Sequence, residues 1–327
     1  MSVNPAGACI LGIFMPVIAT SVVGARFYAR HYKNAKLGGD DWTSLAGLVG
    51  LWAVSGLVLD GARKGLIGGH SKMNPVTGAM IQTNESPNVR YAWMIISITT
   101  PTLMITKLSV LLLYRRIFAV SETFRWYRIA LIVLLVIWGV GFTFAKIFQC
   151  GTHPTAFWTN KYTFLRYCSD PGGLNVAMCL SDVIFDLMIL AAPVPMIWKL
   201  HISTFRKIQV CGVFALGFLS TAAAVVRTYI VSFTAYGTKL GFRDVMEENT
   251  KIAIWCMIEI ASALIGCCLP TLKSLVNGQS LASIVHSIRS KLVSWSNTKR
   301  NESDAEEGLA DVHGLDAKEY MDLAVKH

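Results

Sequence analysis

Five ionisable side chains sit where an apolar sequence should carry none. Asp182 and Asp186 fall inside the run Leu174–Trp198, and Arg227 lies inside Ile208–Phe233. Lys107 lies inside Tyr91–Tyr114, and Glu259 inside Ile252–Lys273. Each run can cross a bilayer, since about 20 residues at ~1.5 Å rise span the ~30 Å hydrocarbon core. A charge at the centre of such a helix costs roughly 2.5–3.5 kcal/mol, so these five must face partners inside a bundle. Asp182 and Asp186 are four apart and share one helical face about 6 Å from each other. At an effective dielectric near 20 two such charges repel by roughly 3 kcal/mol, so either one is protonated or cations lie close.

Depth assigns the partners. Counting rise per residue, Asp182 and Glu259 lie roughly 12 Å below the outer surface, with Arg227 slightly shallower. Asp186 falls near the midplane and Lys107 about one turn nearer the cytoplasm. These depths predict an outer cluster of Arg227, Asp182 and Glu259, and an inner pair of Lys107 with Asp186. Two chemistries fit. The five residues form a ligand-binding polar pocket or proton-linked site, with Asp182, Asp186 and Glu259 as the candidate catalytic acids. Otherwise they are structural pairs that fix the register of the helices.

The elements that must position them are themselves legible. Of 327 residues, 53% are hydrophobic and only 15% charged, against about 25% charged in a soluble domain. The predicted fold is an all-α membrane protein, a seven-transmembrane helix bundle in the lipid bilayer. The spans are Cys9–Tyr28, Trp42–Asp60, Tyr91–Tyr114, Ile129–Phe148, Leu174–Trp198, Ile208–Phe233 and Ile252–Lys273. Asp40 and Asp41 open the second, where two acids suit the positive end of the helix dipole. No internal repeat is visible, and no cleavable signal peptide is expected. The net charge of +10 is carried mainly by short loops between apolar runs, which points to membrane topology and away from nucleic acid. Fifteen Lys and Arg fall on one side of the bundle and nine on the other. The richer side should be cytoplasmic and the N-terminus outside, in the plasma membrane or an endomembrane.

Other chemistry is thin. The eight cysteines include no C-x-x-C and no Cys/His cluster, no two histidines have metal-ligand spacing on a helix, and the glycines around 38–39 and 68–69 form no phosphate loop. Cys150 and Cys168 bracket one outer loop, where a disulfide would be worth ~3 kcal/mol; the alternative is two unpaired thiols at helix ends. Asn84-Glu85-Ser86 is a nominal glycosylation acceptor weakened by Pro87. Residues 1–275 read as the membrane domain and 276–327 as a cytoplasmic tail of unknown partner. In the tail Leu281, Ile284, Val285, Ile288, Leu292 and Trp295 recur at helical spacing, as in a helix on the inner leaflet or one docked on the loops. From Asn301 onward the chain is acidic and reads as disordered.

Taken in order, a set of short motifs is familiar. Asp40-Asp41-Trp42 opens the second span; Lys107-Leu108-Ser109 and Tyr114-x-Arg116-x-Phe118 close the third. Cys150-x3-Pro154-x3-Trp158 and Cys168 follow outside, and Asp182 and Asp186 precede Pro193-x-Pro195. Lys207, Leu216-Gly217 and Arg227 mark the sixth span, and Trp255-x3-Glu259 and Cys268-Leu269-Pro270-Thr271-Leu272 the seventh. Over residues 10–275 the chain resembles the fungal rhodopsin-domain family of integral membrane proteins, which includes Pth-type surface-sensing receptors and the satratoxin-cluster membrane protein. The resemblance implies a link to fungal secondary-metabolite biosynthesis. Retinal is not expected as cofactor, because Lys251 and Lys273 sit only at the ends of the seventh span. The Asp-Arg-Tyr and Asn-Pro-x-x-Tyr signatures of animal-type G-protein receptors are absent, and so is the cysteine-rich N-terminal domain of some surface-sensing relatives. Two functions remain. One is a receptor-like or accessory protein binding a small, apolar metabolite. The other is a membrane-embedded cyclase or isomerase using buried acids.

Overall fold

Apolar residues recurring every three to four positions set the long helices and the faces they bury. In the first helix Ala8, Gly12, Pro16, Ala19, Val23, Arg26 and Arg30 form one buried stripe. The computed structural model describes residues 5–69, 87–117, 122–159, 161–168, 170–194, 204–236 and 244–276. These contain α1 (Pro5–Tyr32), α2 (Gly39–Arg63), α3 (Pro87–Ile117), α4 (Glu122–Ile147), α5 (Lys161–Tyr167), α6 (Pro171–Ala191), α7 (Thr204–Tyr236) and α8 (Val245–Val276). All except the short α5 are long and apolar enough to cross a membrane, seven spans among the described residues. Pro16, Pro101 and Pro270 lie inside helices, as spanning helices tolerate.

The fifth expected span is the one that comes out shorter. Its helix ends at Ala191, close to Pro193, which offers no amide to the ladder. At its other end Asp170 caps the helix, accepting hydrogen bonds from the amides of Gly172 (3.0 Å) and Gly173 (3.1 Å).

Sequential pairs α1–α2, α2–α3, α3–α4 and α6–α7 pack directly. The α2–α3 pair approaches closely because of glycine. A Cβ at Gly50 would lie 2.3 Å from Thr102 Oγ1, so only hydrogen fits there. Within its apolar window α8 is 67% buried, against 28% for α1 and α4. α8 is therefore the inner helix, and Met257, Ile260 and Leu264 pack against Leu51, Val54 and Leu103. Large apolar side chains such as Val49, Ile137, Phe218 and Tyr229 point outward and are exposed. In water such a surface would aggregate; in hydrocarbon it is the lipid-facing wall.

At one end of the bundle the chain between α4 and α6 folds over the helices. A short 3-10 turn, Pro154–Phe157, precedes α5, and Cys150 and Cys168 close a disulfide with Cα atoms 3.9 Å apart. Trp158 packs on Trp93 of α3 (centroids 5.4 Å) and lies under the Arg90 guanidinium (5.7 Å). Residues 1–272 form one compact unit and residues 273–327 another. The expected tail helix at 281–295 and the Asn84 acceptor lie outside the described residues.

Candidate functional site

Lys107 of α3, Asp182 and Asp186 of α6, Arg227 of α7 and Glu259 of α8 are all buried. The structure brings all five together. Lys107 Nζ lies 2.7 Å from Asp182 Oδ1, 2.7 Å from Asp186 Oδ1 and 3.8 Å from Glu259 Oε1. Arg227 Nη2 lies 2.6 Å from Asp182 Oδ2 and 3.0 Å from Glu259 Oε2. Each pairing expected from depth is present, Arg227 with Asp182 and Glu259 and Lys107 with Asp186, but the two groups are joined into one cluster. Asp182 joins it, giving one carboxylate oxygen to the lysine and the other to the arginine. The rise-per-residue argument placed Cα atoms, and a four-carbon lysine stem easily covers the turn that separated them.

The cluster holds three acids and two bases. In a fully buried site an unneutralised charge is expensive, so one carboxyl carries a proton or a further cation joins when the site is used. Glu259 is the acid least engaged. It is within ion-pair distance of both bases, yet neither of its oxygens accepts a directed hydrogen bond from a described residue, and Asp186 Oδ2 also accepts none. The three carboxylates come within 4.8 Å of one another, but two cations already occupy the space between them, which is poor ground for a metal ion.

Cavities lie against the cluster on two sides. The larger, about 270 Å³, opens between α3, α4, α6, α7 and α8 on the disulfide side. Arg227 and Cys179 line it at the cluster, Trp93, Ile96 and Val231 form apolar walls, and Phe157 of the loop covers it. The smaller, about 50 Å³, is lined by Lys107, Asp186, Tyr114, Ser220 and Ser262.

Two features went unread in the sequence. The first is a second buried ion cluster at the opposite end. Arg26 Nε and Arg30 Nε of α1 each lie 2.7 Å from Asp41 Oδ1, and both guanidinium groups also pair with Asp40. Arg26 donates in addition to the Cys267 carbonyl of α8, and Ser109 of α3 donates to the Asp40 carbonyl (3.1 Å). Asp40 and Asp41 do open α2 as the dipole reading has it, but their larger task is to tie α1 to α2. The available signal was the spacing of Arg26 and Arg30, four apart on one face of an apolar helix. The second is Lys146, in the last turn of α4, only 3% exposed and lining the larger cavity. Lys251, by contrast, is committed to Glu247 (3.1 Å) and Glu248 (3.3 Å) at the start of α8.

The comparisons agree with this architecture. The model of the fungal rhodopsin domain matches residues 25–278. The chain is 26% identical over 266 residues to the polyenoic acids biosynthesis gene cluster protein Ba17b of Metarhizium anisopliae, covering 79% of this chain and 70% of that one. It is 29% identical over 178 residues to a SAT4 family membrane protein of Emericella nidulans, covering 53% of this chain and 42% of the relative. To the satratoxin biosynthesis SC1 cluster protein 4 of Stachybotrys chartarum it is 26% identical over 180 residues, 54% of this chain and 62% of the relative. No solved structure matches. With seven apolar helices and a family match over most of its length, the chain belongs to the fungal rhodopsin domain family and is a multi-pass integral membrane protein.

Proposed function

We propose that this protein binds a small, largely apolar metabolite between its helices, as a receptor-like or accessory component of a fungal secondary-metabolite pathway. The observation that carries the reading is the cavity of about 270 Å³ with Arg227 of the buried ion cluster in its wall. A ligand there touches the cluster and can shift how its charges pair, which is what a receptor-like helix bundle requires. The loop closed by Cys150 and Cys168 covers the cavity on what we take to be the external side, with residues 276–327 in the cytoplasm. No retinal Schiff base enters this reading, since Lys251 is held by two glutamates at a helix end. The relatives named for polyenoic-acid and satratoxin clusters support the pathway link.

One observation favours a second reading. The acids lie between two cavities, and Lys107 and Asp186 line the smaller one. A cyclase or isomerase would use Asp182, Asp186 or Glu259 as proton donor, and Asp186 is the one of the three that lines a cavity, the smaller. Gene deletion with metabolite profiling separates the two. Loss of expression of a whole pathway supports the receptor-like role, whereas accumulation of one precursor supports the enzyme and overturns the first reading.

A further inference from the structure

The larger cavity has an electrostatic bias that its apolar walls conceal. Among the described residues two full charges line it, Lys146 and Arg227, and both are cations; no described Asp or Glu lines it. Arg227 is already engaged, with Nη2 between Asp182 and Glu259. Lys146 is not. Its ammonium has no ion pair or hydrogen bond with any described residue, although the residue is 3% exposed. A place in the last turn of α4 suits a cation through the helix dipole. That effect does not explain burial against an apolar cavity, where an unpaired ammonium is costly.

We propose that the cavity takes an amphipathic anion, a carboxylate on an apolar body, with its head group on Lys146 and its body against Trp93, Ile96 and Phe157. The ammonium supplies the charge and a hydrogen-bond donor to the head group, and the aromatic walls cover the chain. The proposal rests on the ligand-binding reading above and names the class of ligand.

The test uses purified full-length protein in nanodiscs at neutral pH, with octanoate, octanol and octylamine as probes of equal chain length. Octanoate should bind about tenfold or more tighter than octanol, the usual worth of a charge-assisted hydrogen bond in a buried site, and octylamine should bind weakest. Lys146→Met keeps the length of the side chain and removes its charge. It should erase the preference for octanoate while leaving octanol binding within about twofold. Equal binding of octanoate and octanol to the wild type overturns the proposal while leaving the cavity reading in place. So does tightest binding of octylamine, or a preference for octanoate that survives in a folded Lys146→Met. Failure of all three probes to bind overturns both. Because the comparison of probes needs only the wild type, a Lys146→Met that fails to fold does not protect the idea.

Discussion

Two buried ion clusters, built from the same side chains, sit in different parts of this bundle. At the end away from the disulfide, Arg26 and Arg30 meet Asp40 and Asp41, two bases against two acids. Deeper in the bundle, Lys107 and Arg227 meet Asp182, Asp186 and Glu259, two bases against three. The first set adds bonds to backbone, Arg26 to the Cys267 carbonyl and Asp41 Oδ2 accepting from the Gly38 amide at 2.9 Å, although Arg30 Nε and Nη1 make no directed hydrogen bond. The second leaves both Glu259 oxygens and Asp186 Oδ2 without directed hydrogen bonds and borders the two cavities described above. None of the four residues of the first cluster lines either cavity. A balanced cluster that borders neither cavity clamps helices together. One with a surplus acid beside open space can exchange a proton or answer to a ligand. Charge balance and the open space alongside, more than burial, separate the clamp from the site.

The largest effect should come from breaking the clamp. Arg26→Ala leaves Arg30 alone against Asp40 and Asp41, one base to two buried acids, and frees the Cys267 carbonyl. Removing one partner of a buried pair costs roughly 3–5 kcal/mol, so the variant should fail to accumulate as folded protein in the membrane. Recovery of normal amounts with an unchanged melting temperature would show that the clamp is dispensable. Next in size is the disulfide, which belongs to the cavity's side of the comparison. Cys150→Ser should cost ~3 kcal/mol for a loop of this length. It should loosen the cover over the cavity, seen as faster proteolysis between residues 148 and 170, while α1 and α2 stay protected.

Why the site was legible and the clamp was not is a matter of background. Lys107, Asp182, Asp186, Arg227 and Glu259 stand alone in long apolar runs, where every charge demands a partner. Asp40 and Asp41 stand at a helix start, where acids are ordinary, and Arg30 stands beside a basic loop, where it counts toward topology. Each had a sufficient local explanation, so the contact between them stayed hidden. Lys146 was missed for a similar reason, since a lysine two residues before the end of the expected span Ile129–Phe148 reads as a helix-end charge. The seven spans were readable because length and hydropathy are strong signals; the fifth was drawn past Ala191 because hydropathy carries on beyond the helix end near Pro193. The joining of two expected clusters into one turned on Asp182 splitting its two oxygens between Lys107 and Arg227, a choice set by side-chain torsions that no spacing encodes.

The smallest expected effect tests the comparison most directly. Asp41→Asn and Glu259→Gln each neutralise one buried acid without changing its shape, and their melting temperatures can be measured side by side in nanodiscs. Glu259→Gln brings the second cluster to two acids against two bases, so its stability should stay within about 1 kcal/mol of the parent protein. Asp41→Asn leaves the clamp with two bases and one acid and should lose roughly 3–5 kcal/mol. Equal loss in the two variants, or a Glu259→Gln less stable than Asp41→Asn, would contradict the division of this bundle into a clamp and a site.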